Sequence, residues 1–211
     1  MEMETRTFVV DGMEVRQLDG QAPVITGYAV VFDAWSEVMV DGRGRKFRER
    51  IAPATFDRVL QSGKDIYALW SHDRSKPLAR TKNGTLRLRK DPKGIYFEID
   101  APSTSWGIDA VESIRRGDVA GASFAYAVNR DHGDTWARGG ADGVAEHTLL
   151  DADLFEISPV TEPAYPTSSV YVRSVPDFES DSRAADESPE PVTGAQVRRL
   201  MLLLNLAEIE I

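Results

Sequence analysis

Through most of the first 173 residues, apolar side chains recur at every second position in short runs, a period that predicts strands. Such runs occupy Thr7–Val10, Met13–Leu18, Val24–Asp33, Asp65–Ser71, Leu78–Lys82, Thr85–Lys90, Ile95–Asp100, Ala120–Val128, Leu154–Val160 and Val170–Arg173. Many are rich in Val, Ile, Phe, Tyr or Trp, which suit a pleated, half-buried surface. Asp11-Gly12 and Asn83-Gly84 separate adjacent runs with dipeptides that adopt positive φ readily, so each predicts a type I′ hairpin turn. With Asp91-Pro92-Lys93-Gly94 as a further turn, residues 78–100 read as a three-stranded meander, and the whole region as an antiparallel β fold.

Two segments change period. From Pro53, well suited to a first helical turn, Phe56, Val59 and Leu60 fall at helical spacing and Gly63 stands where a helix would stop. From about Ser105 to Arg116, Ile108, Val111 and Ile114 predict one inward face, with Arg115 and Arg116 in the last turn and Gly117 as terminator. Residues 131–143, dense in Gly and Asp, read as a mobile loop. Residues 174–193 are crowded with Ser, Asp, Glu and Pro and have too few apolar side chains to offset ordering entropy, so a disordered linker is expected there. Beyond it, 194–211 read as a helix whose apolar stripe (Val197, Leu200, Met201, Leu204) is widened by Leu203, Leu206 and Ile209. Such a helix docks either on another surface, including a second copy, or on its own domain. The expected organisation is a domain over 1–173, the acidic linker 174–193 and the helix 194–211.

Composition narrows the function. With 25 Lys plus Arg against 34 Asp plus Glu, the net charge of −9 argues against nucleic acid or anionic lipid as a partner. Cysteine is absent, which excludes disulfides, thiolate nucleophiles and Cys-based metal centres. Met1-Glu2-Met3-Glu4 does not resemble a secretory signal, and Leu200–Leu204 is far shorter than a membrane span, so a cytosolic protein is expected.

Hydroxyls are therefore the candidate nucleophiles, with three His and many carboxylates as candidate bases. His72 follows the apolar run Ile66–Trp70, where a strand can hold a ring at the edge of a reachable loop; a structural strand-end His is the plainer alternative. Ser123 lies among small neighbours (Ala120-Gly121-Ala122) that admit a close backbone approach, or it is a small buried strand residue. Glu156 stands between Phe155 and Ile157 and is either a buried carboxylate needing a cationic partner or the outward side of an alternating strand. His132 reads as a solvated loop residue, and His147 sits at an ambiguous strand position. The metal-ligand types His72, Asp73, His132, Asp134 and His147 match no compact motif, and Gly42-Arg43-Gly44 and Gly139-Gly140 lack a phosphate loop's context.

Five segments in order carry a resemblance: Gly27-Tyr28-Ala29-Val30-Val31-Phe32; Phe47-Arg48-Glu49-Arg50-Ile51-Ala52-Pro53-Ala54-Thr55-Phe56; Leu69-Trp70-Ser71-His72-Asp73; Gly117-Asp118-Val119-Ala120-Gly121-Ala122-Ser123-Phe124; and Leu154-Phe155-Glu156-Ile157-Ser158-Pro159-Val160 running on to Pro166. Over roughly residues 24–173 the chain resembles the tailed-phage prohead maturation proteases, a family of serine peptidases. The resemblance implies an α+β fold similar to herpesvirus assemblins, an antiparallel β-barrel-like core flanked by a few short helices. It also implies an endopeptidase without a cofactor. Its partner would be the major capsid protein, whose scaffold segment or scaffold-like extension it trims inside the assembling procapsid in the host cytoplasm. His72 and Ser123 map to the family's base and nucleophile. Glu156 maps to its acidic position, although the assemblin relatives use a second His there, which leaves His147 as the alternative third member. The oxyanion donors are not located; Arg130 and the loop after it are close in sequence. The rival readings are a non-catalytic assembly or scaffold-binding module and a metal-dependent hydrolase.

Overall fold

A computed structural model describes residues 3–9, 13–139 and 143–161, side chains of 7–9 excepted. These residues all belong to one unit, Met1–Val175. The linker and helix expected over 174–193 and 194–211, and the strand expected over Val170–Arg173, lie outside the described residues.

The chain is strand-rich. Its strands are β1 (Glu4–Val9), β2 (Glu14–Arg16), β3 (Val24–Val31), β4 (Met39–Val40), β5 (Lys46–Ile51), β6 (Tyr67–Trp70), β7 (Asp73–Arg80), β8 (Leu86–Lys90), β9 (Gly94–Asp100), β10 (Gly121–Val128), β11 (Asp134–Ala137), β12 (Ala145–Leu149) and β13 (Ala152–Val160). Helix α1 (Asp57–Gln61) follows β5, and α2 (Ser105–Arg115) leads into β10. The strands form three sheets ordered β1-β10-β13-β6-β7, β11-β12-β5-β4 and β2-β3-β9-β8. The α+β class stands, while none of the three sheets closes into a barrel among the described residues. Pairing is mainly antiparallel, but β12 runs parallel to β5 and β13 parallel to β6.

Several local expectations are corrected. Gly84 does adopt positive φ, yet it ends a 3-10 turn (Thr81–Asn83), and the strands it joins belong to different sheets. Leu78 and Ala79 are drawn onto β6, so only β8 and β9 form the expected hairpin. Likewise β1 and β2 do not pair with each other. The segment 131–143 contains β11, whose Trp136 stacks on His147 of β12 at 4.0 Å between centroids. Helix α1 begins at Asp57, after the chain turns through 53–56, and Gly63 follows it at φ 68°. In α2, Thr104 caps the N-terminus by accepting from the Gly107 N–H, and Ala110, Val111 and Ile114 face the core. Ile108, expected inward, is 60% exposed, because the inward stripe runs through Gly107, which presses on Pro102.

Strand β10 is buried along its whole length, flanked by β1 and β13 and packed on β3. Phe124 and Tyr126 join Phe56, Ile51, Leu154 and Ile157 in one apolar cluster. Burial of both faces makes β10 a fixed platform for the side chains it presents.

Candidate active site

Ser123 sits on β10 opposite Ser158 of β13, and Ala125, two residues on, lies opposite Glu156. Strand side chains alternate in direction, so Ser123, Ser158 and Glu156 share one face. The β10–β13 register shifts between Ala125 and Tyr126. Phe155 has no partner in that register, and such a bulge changes the aim of its neighbour Glu156.

His72 reaches this face from the turn between β6 and β7. Trp70 pairs with Asp73, so Ser71 and His72 are a two-residue hairpin loop, with φ of 51° and 62°. Both values lie in the left-handed region that Gly or Asn ordinarily occupies in a type I′ turn. Holding Ser and His there costs about 1 kcal/mol or more each. Contacts to the end of β13 fix the turn: Ser71 N–H donates to the Pro159 carbonyl at 3.2 Å, and His72 N–H donates to Ser158 Oγ at 3.1 Å.

The three residues converge. His72 Nε2 lies 2.7 Å from Ser123 Oγ, and His72 Nδ1 lies 2.5 Å from Glu156 Oε1. Glu156 Oε2 accepts from Ser158 Oγ at 2.7 Å. Ser158 thus links the carboxylate to the backbone of the imidazole it faces. Sequence reasoning missed Ser158, although its place two residues from Glu156 on one strand was the available signal. The imidazole is 32% exposed and the Glu156 side chain 7%. Ser123 is 0% exposed, and its hydroxyl donates to the Arg6 carbonyl of β1 at 2.8 Å. Nothing in the sequence pointed to Arg6.

His147 is engaged elsewhere. Its Nδ1 lies 2.8 Å from Glu49 Oε2 and its Nε2 2.9 Å from Asp134 Oδ2, with both ring nitrogens committed. Burial opposes its charge, but Asp134 and Glu49 outweigh burial and raise its pKa. Glu49 also takes both Nε and Nη2 of Arg6, at 2.7 and 3.0 Å. Burial would push Glu49 up, yet Arg6 and His147 pull it down to about 2. This second cluster, with Glu4 and Tyr126 around the same guanidinium, is sealed from solvent.

The remaining sequence candidates scatter. His132 is exposed, Asp73 is tied to Ser75 and Lys76, and among the described residues no group of three His, Asp or Glu is arranged to hold a metal ion. Arg130 lies beyond the far end of β10, seven residues past Ser123, which at strand rise is on the order of 20 Å away and too far to serve the same carbonyl. Among the described residues no helix is long and apolar enough to cross a membrane.

The assembled groups form a hydroxyl–imidazole–carboxylate relay, an arrangement suited to acyl transfer. No curated protein and no solved structure matches the chain. The family model described as Caudovirus prohead serine protease matches residues 11–180, which span all three relay residues and most of the chain, and the chain belongs to that family of phage prohead peptidases.

Proposed function

We propose that this protein is a serine endopeptidase in which Ser123 is the nucleophile, His72 the general base and acid, and Glu156 the carboxylate that orients His72. The observation that carries this reading is the continuous relay from Ser123 Oγ through both ring nitrogens of His72 to Glu156, at 2.7 and 2.5 Å.

In the reaction, Ser123 Oγ bonds to the scissile carbonyl carbon while its proton passes to His72 Nε2. The C–N bond then breaks and the same proton leaves on the amine. Water, deprotonated by His72, hydrolyses the acyl-enzyme and restores the hydroxyl. Glu156 holds Nδ1–H, which keeps Nε2 the basic nitrogen and stabilises the imidazolium. Ser158 is a positioning residue that sets the carboxylate against the ring.

Family membership supports a substrate in the assembling procapsid. The substrate is the scaffold segment or scaffold-like extension of the major capsid protein, and the acidic segment 174–193 is cut by the enzyme itself. The helix 194–211 joins the protease to scaffold or to a second copy. Co-expression with the cognate capsid protein, followed by mass spectrometry, tests the chemistry. Wild type trims the capsid protein and shortens itself, whereas Ser123→Ala and His72→Ala, folded by circular dichroism, do neither. Trimming by either variant refutes the assignment. One observation favours a second reading, the non-catalytic assembly module: Ser123 has no exposed surface. The same experiment decides between the two.

A further inference from the structure

Strand β1 is one of the elements that enclose Ser123. Strand β1 pairs with β10 in register from Glu4 opposite Tyr126 to Val9 opposite Gly121, which sets Thr7 opposite Ser123 and the Arg6 carbonyl on its hydroxyl. Ser123 carries one hydroxyl proton, while the Arg6 carbonyl oxygen and His72 Nε2 stand at 2.8 and 2.7 Å from its oxygen. The hydroxyl that donates to the Arg6 carbonyl does not point its proton at His72, so the folded arrangement is a resting one.

Strand β1 is also built to leave. Among the described residues it is the edge strand of its sheet, and its departure breaks the ladder it shares with β10. Its side-chain anchors are Arg6, held by Glu49 of β5, and Glu4, which accepts from the Tyr126 hydroxyl of β10 at 3.3 Å. When Arg6 withdraws, Glu49 keeps His147 as a partner, so no carboxylate is stranded in the interior. The exposed edge of β10 is then a template for an extended peptide, which would complete the sheet as β1 does. A peptide in the register of β1 brings the residue that replaces Arg6 to two places at once: its carbonyl to Ser123 and its side chain to the buried Glu49 carboxylate.

We infer that the edge of β10 is the substrate-binding site, that β1 is a built-in occupant displaced by substrate, and that the substrate is an extended peptide with Lys or Arg where Arg6 sits, immediately before the cut. This rests on the catalytic assignment proposed above.

A disulfide tests the occupancy. The chain has no cysteine, and Thr5 pairs with Ala125, so the pair Thr5→Cys and Ala125→Cys bridges β1 to β10 alone. Purified full-length enzyme is mixed with the cognate capsid protein, oxidised or reduced, and the products are mapped by mass spectrometry. The reduced pair sets the reference rate, the oxidised pair is expected to trim at least about tenfold more slowly than it, and reductant to restore that rate. Equal rates in both redox states overturn the displacement, and cut sites that lack a preceding Lys or Arg overturn the substrate class. Wild-type enzyme that trims no faster than Ser123→Ala removes the catalytic assignment itself, and this inference with it. If the cysteine pair does not fold, amide exchange on the wild type decides: residues 4–9 are expected to exchange at least about tenfold faster than the β13 amides paired to β10. Equal protection of the two overturns the proposal.

Discussion

Ser158→Ala isolates positioning from chemistry, because the Ser158 hydroxyl bonds to Glu156 and to the His72 backbone. The substitution deletes a donor to Glu156 Oε2 at 2.7 Å and an acceptor for His72 N–H at 3.1 Å, both in a place where Ser158 itself is buried. A hydrogen bond to a buried carboxylate is worth about 1.5–3 kcal/mol, and an orphaned backbone N–H adds about 1 kcal/mol where water does not replace the partner. Stability is therefore expected to fall by about 2–4 kcal/mol. For turnover, only the part of the first contact that aligns Nδ1 with the carboxylate matters, and losing all of it lowers kcat by about 10- to 150-fold. KM is expected to stay constant, since the substrate does not meet Ser158. Ser158→Thr keeps the hydroxyl and is expected to recover most of kcat. The assays are steady-state kinetics on a peptide spanning a mapped cut site, and urea unfolding of the same samples. A Ser158→Ala enzyme with undiminished kcat, or one whose entire loss appears in KM, refutes the positioning role.

Other outcomes follow from the same contacts. Ser71→Gly relieves a positive φ of 51° and is expected to raise stability by about 1 kcal/mol in urea unfolding while lowering kcat, since the turn that aims His72 loosens. Gly107→Ala places a Cβ 2.1 Å from the Pro102 carbonyl oxygen and is expected to lower Tm by several degrees through the start of α2. Glu49 has its pKa lowered from 4.5 to about 2, so the stability that its ionised form supplies is complete above about pH 4.5 and lost as pH falls toward 2. Wild type and Glu49→Gln should therefore differ most in urea midpoint near pH 6 and converge toward pH 2; a gap independent of pH contradicts the assignment.

The site was partly legible because strands carry their own face information. Ser123, Glu156 and His72 could each be placed on a run or at its end, and the resemblance joined them. The order of strands in the sheet was not legible, since pairing between β10 and β13, or between β13 and the distant β6, is set by long-range packing. Strand β5 was missed although Phe47, Glu49 and Ile51 alternate inward, because a glutamate in an inward position disguises the apolar period; Arg6 and His147 make it tolerable there. The tight turn that matters was missed for a related reason. Asn83-Gly84 has the composition of a type I′ turn and forms a 3-10 stop, whereas Ser71-His72 has no such composition and is held at positive φ by β13. Local propensity lost to tertiary contact at the place where a side chain had to be aimed.

The two paired histidines offer the sharpest separation of structure from chemistry. Each imidazole lies between oxygen partners, but His72 is 32% exposed and reaches a hydroxyl, whereas His147 is 2% exposed and meets carboxylates on both sides. Removing His147 takes one partner from Glu49 and one from Asp134, while Arg6 still covers Glu49. The cost of His147→Asn is therefore less than that of a wholly broken buried pair, about 1–3 kcal/mol of stability. Because a raised His147 pKa means that its charge stabilises the fold below about 6.5 and ceases to as pH rises through the raised value, this cost should shrink in alkaline buffer. Trimming, measured on the fraction that remains folded, should be unchanged. His72→Ala should show the reverse, nearly wild-type stability with no trimming, and His72→Gly, which suits the positive φ of 62°, should gain stability and also trim nothing. A His147→Asn enzyme that folds with wild-type Tm and trims nothing would transfer the third role from Glu156 to His147, since a loss of turnover with the fold intact belongs to a group that serves the catalytic imidazole.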